Sequence, residues 1–378
     1  MIKVTHIITG LNDGGAEAVL YRLCAYQTGE FSHHVVSLTG EGKYGPLLKE
    51  AGVAVTCLNM PSGRVTLVGL WRLWRLLRNE RPQVVQTWMY HSDLIGGLLA
   101  RLAGIKKVFW NIRHTTLDVN QSRRSTIAVA WLCARLSRWV PEIIICCAEE
   151  AAKVHRSMGY AAKKLVVIPN GYDLSKFSIS SDKREKLRAE LVVEGRCLLG
   201  MVGRFDPQKD HENLLLALAE VKRGGLIFCA FLVGRDVNYN NHQLVGWLKD
   251  LDLEDDVRLL GQRTDIPEIM NALDLHILSS SFGEAFPNVL AEAMACGTPC
   301  VTTNVGDAAL IVGDTGWVVS PKEPRALADA ILSSLTEMQC EGEIRSNREK
   351  ACRMRIIENF SLEKMISSYS TIWVNDKD

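Results

Sequence analysis

Short apolar runs alternate along the whole chain with stretches whose apolar residues recur every third or fourth position. The runs predict strands near 3–9, 34–38, 53–58, 84–87, 107–112, 143–147 and 165–168. They resume near 197–202, 227–233, 257–260 and 275–278. Helical spacing covers 16–28, 65–79, 92–103 and 125–139, then 213–222, 242–251, 266–273 and 324–338. Strands alternating with amphipathic helices in this way imply parallel sheets covered on both faces, so the expected fold class is α/β. A turn-rich and then charged seam at 169–183 separates two doubly wound, Rossmann-like domains, placed at 1–172 and 173–359. Their strand ends are expected to face an interdomain cleft, because ligands of such sheets lie outside the carboxyl ends of the strands. The last helical pattern, within 360–378, is expected to pack back on the first domain.

One stretch, SSSFGEAFPNVLAEAMACGTPCVTTNVGD at 279–307, has the marks of a binding element. A loop with Gly283 and Glu284 leads into a helix expected to begin near Pro287, where a proline gives up no useful donor. The helix passes Glu292 and stops at Gly297-Thr298-Pro299. At ~1.5 Å per residue Glu292 lies about 7 Å along the axis from Pro287, roughly the reach from a phosphate at the helix start to a ribose diol. In isolation two glutamates near a helix start are usually capping and solvated-face residues.

A second stretch raises them. Gly203 to Lys209, GRFDPQK, follows the first strand of the second domain and places two cations, Arg204 and Lys209, at the carboxyl end of a strand. Fixed cations there can neutralise a departing diphosphate. In the first domain Gly14-Gly15 opens a helix after the first strand, either to admit a phosphate or simply as a tight turn. His91 and His114 each follow a strand-like run, where a histidine can bind a hydroxyl or serve the core. Trp71, Arg72, Trp74, Arg75 and Arg78 fit either a helix lying on a membrane surface or core tryptophans with arginines reaching outward. Asp250-Leu251-Asp252 ends a helix ahead of a strand and reads as a solvated turn.

Composition narrows the class. A chain of 378 residues, 47% hydrophobic and 23% charged, is globular and large enough for two cores. The net charge of +1 hides an asymmetry, since residues 1–177 hold 22 Lys/Arg against 12 Asp/Glu and the remainder 22 against 31. A basic first half suits phosphates or an anionic lipid surface, and no nucleic-acid partner is expected. The 11 cysteines show no metal-ligand spacing and read as reduced, buried apolar residues. MIKVTHIITG reads as a strand rather than a leader, and arginines interrupt every run long enough to span a bilayer. The expected location is cytoplasmic, with a peripheral contact on the inner face of the membrane.

The stretches GLNDGGAE, IPNGYDLSKF, GMVGRFDPQKDHENLLLAL and VRLLGQRTDIPEIMNALDLHILSSSFGEAFPNVLAEAMACGTPCVTTNVGD together resemble family 4 of the retaining glycosyltransferases, which have the GT-B fold of two Rossmann-like domains. The resemblance implies that Arg204 and Lys209 bind a nucleotide diphosphate, that Glu292 holds the ribose and that Glu284 contacts the donor sugar. It puts Gly14 and Gly15 near the phosphate, and Phe286, Pro287 and Asn288 in the donor site. Arg263 falls near the nucleobase, and His114 beside the reacting sugar. It implies retention of configuration with neither metal nor cofactor. The substrates implied are a UDP-sugar donating a hexose or N-acetylhexosamine and a lipid-linked saccharide of bacterial surface polysaccharide or lipopolysaccharide assembly. The alternatives are a nucleotide-sugar epimerase of the same fold and a non-catalytic binder of sugar nucleotides.

Overall fold

The computed structural model describes residues 1–26, 29–113, 115, 124–193, 195–339 and 342–374, and divides into two units. The first comprises Met1–Gly171 and the C-terminal helix, the second Tyr172–Ser361.

The first unit contains β1 (Ile2–Ile8), α1 (Gly15–Ala25), β2 (Phe31–Ser37), α2 (Tyr44–Glu50), β3 (Ala54–Cys57), α3 (Leu67–Glu80) and β4 (Val84–Trp88). It continues through α4 (Tyr90–Leu102), β5 (Lys107–Ile112), α5 (Arg124–Leu136), β6 (Ile143–Cys146), α6 (Glu149–Ser157) and β7 (Leu165–Val167). The seven strands run in the order β3-β2-β1-β4-β5-β6-β7, and every pairing between them is parallel. Connections of this kind are right-handed. Strand order moves one way from β1 to β3 and the other way from β3 onward. Helices α3, α4 and α5 therefore share one face of the sheet, opposite α1 and α2.

The second unit holds α7 (Ser181–Glu190), β8 (Cys197–Val202), α8 (His211–Arg223), β9 (Phe228–Val233), α9 (His242–Asp250), β10 (Val257–Gly261) and α10 (Ile266–Ala272). It is completed by β11 (Leu275–Leu278), α11 (Asn288–Ala295), β12 (Cys300–Thr303), α12 (Ala308–Val312), β13 (Trp317–Val319), α13 (Pro324–Gln339) and α14 (Gly342–Phe360). Its six parallel strands follow β10-β9-β8-β11-β12-β13. The order reverses between β8 and β11, so the loops after those two strands flank the natural ligand position of the sheet.

Helix α15 (Leu362–Val374) belongs to the first unit. Leu362, Met365, Ile366, Tyr369 and Trp373 join the core of β1, β2 and β4 beside Val4, Ile8, Val35 and Trp88. Tyr369 Oη accepts from Asn111 Nδ2 and from Arg113 Nη2, each at 2.7 Å, and Trp373 Nε1 donates to Gln86 Oε1 at 3.3 Å. Tyr369 and Trp373, each burying on the order of 200 Å², contribute roughly 5 kcal/mol apiece by area.

Some elements escape the apolar pattern. Helix α7 buries only Leu187 and starts with Ser180 accepting from Lys183 N, so the charged part of the seam is a capped surface helix. Helix α14 is mostly polar and turns Cys352 and Ile356 inward. Strand β13 is three residues long, below the length at which periodicity registers.

Candidate active site

Two loops of the second unit build the site. The first leaves β8 at Gly203, whose amide donates to Val233 O at 2.8 Å. Asp206 then caps a single 3-10 turn, Pro207–Lys209, by accepting from Gln208 N at 3.0 Å. Asp210, in the left-handed region at φ 50°, caps α8 through Asn213 N at 3.3 Å. The double cap turns the chain sharply and aims Lys209 inward. Its Nζ lies 2.5 Å from Glu284 Oε1, and both residues are more than nine-tenths buried.

The second loop, after β11, is tied to the first on several sides. Ser279 Oγ donates to Lys209 O at 2.8 Å, Ser281 N donates to Gln208 O at 2.9 Å, and Ser280 Oγ donates to Glu284 Oε1 at 2.7 Å. Thr303, at the end of β12, donates to Ser280 O at 2.5 Å. Gly306 sits at φ 60° against the Glu284 carbonyl, where a Cβ would come within 2.2 Å of the oxygen, and the amide of Asp307 bonds Ala285 O at 3.0 Å. Only glycine fits that approach. Downstream, Tyr172 Oη donates to Asn288 Oδ1 at 2.5 Å, and Phe286 packs between Tyr172 and Phe360 at ring separations of 6.4 and 5.3 Å.

Helix α11 starts at Asn288, with Pro287 in the extended capping position and no side-chain cap. Pro287 thus precedes the helix by one residue instead of opening it, and Glu292 lies half-buried one turn in. Arg204 is held by Asp206 at 3.1 Å and Gln208 at 3.0 Å. Arg263, after β10, forms a two-bond pair with Asp265 at 2.8 and 2.5 Å, and those bonds hold the Asp265 carboxyl below its ordinary pKa. Beneath the loops the fully buried His276 accepts from Val202 N at 3.4 Å. Burial and the Lys209 charge pull its pKa down to about 3. His211, next to Phe205, is pulled down to about 4 by burial and then by Lys209. Both imidazoles beneath the loops are therefore neutral at pH 7.

The arrangement brings Arg204, Lys209, Glu284, Phe286, Pro287, Asn288 and Glu292 onto the two loops and the helix at the β8–β11 switch point. Ser279, Ser280, Thr303, Gly306 and Tyr172 hold them there, and the sequence reading gave those residues no role. For all but Tyr172 the one signal was the dense run of small hydroxylic and glycine positions in 279–307, and Tyr172 lies in the seam at 169–183.

In the first unit Gly14 is the N-cap of α1 and Gly15 its first residue. Nothing lies within 4 Å of a Cβ built on Gly15, whereas the Glu17 carboxylate crowds Gly14. His114 lies outside the described residues. His91 lines a cavity of about 280 Å³ with Thr9, Met60, Arg64, Val65 and Ser125. Among the described residues one group, His6, Cys24 and His33, could offer ligand atoms to a metal. Trp88 Nε1 donates to His6 Nδ1 at 3.2 Å, so His6 carries its proton on Nε2 and donates to His33 Nδ1 at 3.0 Å. Burial holds both imidazoles well below their ordinary pKa, which makes the trio a neutral core network.

A family model described as "Glycosyltransferase Family 4" matches residues 13–176, and one described as "Glycosyl transferases group 1" matches 196–337. Together they span most of both units. The chain belongs to this glycosyltransferase family. An Escherichia coli relative named UDP-Gal:alpha-D-GlcNAc-diphosphoundecaprenol alpha-1,3-galactosyltransferase is 25% identical over 80% of this chain and 78% of its own length. A putative glycosyltransferase of Bacillus subtilis, EpsF, is 24% identical over 80% and 79%. Among solved structures, Anabaena HepE in complex with UDP superposes with a TM-score of 0.82 over 98% of both chains at 23% identity. Sucrose-phosphate synthase of Thermosynechococcus elongatus gives 0.78 over 99% and 98% at 19%. These neighbours share the GT-B fold, which the glycosyltransferase described here also has.

Proposed function

We propose that this glycosyltransferase moves a hexose or N-acetylhexosamine from a UDP-sugar to a lipid-linked saccharide, with retention of configuration and without metal. It would do so at the inner face of a bacterial cytoplasmic membrane, in surface polysaccharide assembly. The observation that carries the reading is the buried Lys209–Glu284 pair at the β8–β11 switch point. A lysine fixed there can take up the charge of a departing diphosphate, while Glu284, braced by Ser280, can accept from a sugar hydroxyl. Arg204 adds a second cation once its contacts with Asp206 and Gln208 yield to phosphate. Glu292 grips the ribose, Phe286, Pro287 and Asn288 shape the donor loop, and Arg263 stands by the base. Gly14 and Gly15 approach the phosphate, and His114 attends the reacting sugar.

The names of relatives favour this choice of substrates, since the E. coli protein is named for a UDP-galactose donor and a diphosphoundecaprenol acceptor, and HepE was solved with UDP. No helix among the described residues is long and apolar enough to cross a membrane, so contact with a lipid-linked acceptor would be made from the surface.

The test is nucleotide release by purified enzyme across a panel of UDP- and GDP-sugars, with bacterial membrane extract as acceptor. The expected result is UDP release that needs the extract, survives EDTA and leaves an α-linked product by NMR. Conversion of the donor without acceptor would instead identify an epimerase. Donor binding without turnover under every condition would identify a non-catalytic binder.

A further inference from the structure

The face of the first unit formed by α3, α4 and α5 is unusual in what it exposes. Helix α4 packs against both α3 and α5, so the three lie side by side. Leu67 is 85% exposed, Trp71 53%, Leu102 69%, Trp131 53% and Trp139 70%. Among them stand exposed guanidinium groups, Arg72, Arg75 and Arg78 on α3 and Arg124, Arg135 and Arg138 on or just after α5. Arg75 lies over the Trp71 ring at 5.1 Å. No Asp or Glu occurs in 64–78, 94–106 or 124–139. The side chains of Trp71 and Trp131 are thus not core residues with arginines reaching past them. Trp74, half-buried under Arg78 at 6.0 Å, is the one that fits that description.

We infer that this face docks on an anionic lipid bilayer. The described residues of the three helices expose one carboxylate, Glu80 at the end of α3 and 2.8 Å from His34. Tryptophans and leucines that project from such an arginine-rich surface match the headgroup level of a membrane, where rings enter the interface and guanidiniums meet phosphates. The apolar residues alone would suit a second copy of the chain, but six like charges spread over the same face oppose self-association and favour a partner of opposite sign. The cavity of His91 and Met60 adds a reason for docking. It is bordered by Arg64 and Val65 just before α3 and by Ser125 and Thr126 in the first turn of α5, so its rim continues into the docking face. A lipid-linked acceptor lying in the bilayer could then reach the cavity without leaving the membrane. This last step rests on the proposed acceptor class, whereas the docking itself does not.

The experiment is flotation of the full chain with vesicles of phosphatidylethanolamine and phosphatidylglycerol, against vesicles of phosphatidylcholine, at low and high salt. Binding is expected only with phosphatidylglycerol and at least ten-fold weaker at high salt. The double variant Arg75→Glu/Arg135→Glu should bind at least ten-fold more weakly while keeping the melting temperature of the parent and its nucleotide release with a water-soluble acceptor. Brominated lipid should quench the parent fluorescence, and less so in Trp71→Phe/Trp131→Phe. Failure to bind phosphatidylglycerol at low salt overturns the proposal, as does binding unchanged in the arginine variant. Concentration-dependent dimerisation lost in Trp131→Ser, without vesicle binding, would assign the face to a second copy and also overturn it. Vesicle binding by a protein that transfers no sugar would leave this face standing and sink only the functional proposal.

Discussion

Replacing Lys209 by methionine separates what the buried pair does for stability from what it does for chemistry. At 2.5 Å and an effective dielectric of about 20, the gross attraction between Lys209 and Glu284 is roughly 7 kcal/mol, most of it offset by the desolvation of both groups. The net value of the pair is therefore small, but removing one partner is not. Lys209→Met removes the lysine from beside the Glu284 carboxylate in a site where that side chain is 9% exposed, while the bond from Ser280 Oγ persists. The expected loss is about 3 kcal/mol, the lower end for a broken buried pair, because the Ser280 bond persists. Glu284→Gln should cost less, about 2 kcal/mol, since the amide oxygen still accepts from Lys209. The double variant should return to within about 1 kcal/mol of the parent, because no buried charge is left uncompensated. Turnover should behave differently. Lys209→Met and the double variant should both lose about a hundred-fold or more in nucleotide release, roughly 3 kcal/mol of barrier. Urea unfolding of the four proteins, followed by nucleotide release under saturating acceptor, measures both quantities. Losses of stability that simply add in the double variant would refute the pairing argument. A double variant that recovers turnover together with stability would refute the role given to Lys209.

Other consequences follow from single contacts. Gly306→Ala should lose about 2 kcal/mol or more and at least ten-fold in turnover, since its Cβ meets the Glu284 carbonyl at φ 60°, as melting and nucleotide-release assays would register. Tyr172→Phe keeps the ring contact with Phe286 and loses the bond to Asn288, so it should cost about 1 kcal/mol and raise the donor KM several-fold with kcat little changed. Asp274 takes Arg184, Arg188, Arg345 and the amide of Leu198, and these partners outweigh its burial and hold its pKa at about 2. Asp274→Asn should therefore destabilise the second unit by about 3 kcal/mol in urea at pH 7. His211 and His276 have folded pKa values of about 4 and about 3, below the unfolded value near 6.5, so the unfolded chain binds protons that the folded one refuses. Stability should be level above pH 7 and fall from pH 6.5 towards 4 by about 1.4 kcal/mol per unit for each histidine. His276→Gln should flatten that slope by one histidine's share.

The alternation of apolar runs and helical spacing was enough to determine the α/β class, because strands buried on both faces and helices buried on one leave periods that no other arrangement shares. It was enough also to single out 279–307 and the Arg204–Lys209 loop, since glycines, cations and carboxylates at strand ends have few structural uses. Tertiary structure alone decided that Lys209 and Glu284, 75 positions apart, form one buried pair. It also revealed that Gly306 and Ser280 hold the glutamate in place. A pairing across parallel strands depends on strand order, and strand order leaves no trace in local periodicity. The tryptophans of α3 and α5 follow the same logic. The spacing of Trp71 and Trp74 on α3 fitted a core or a membrane surface equally well, and Trp131 on α5 had no reading from the sequence. With α4 packed against both helices, Trp71 and Trp131 stand exposed and Trp74 half-buried.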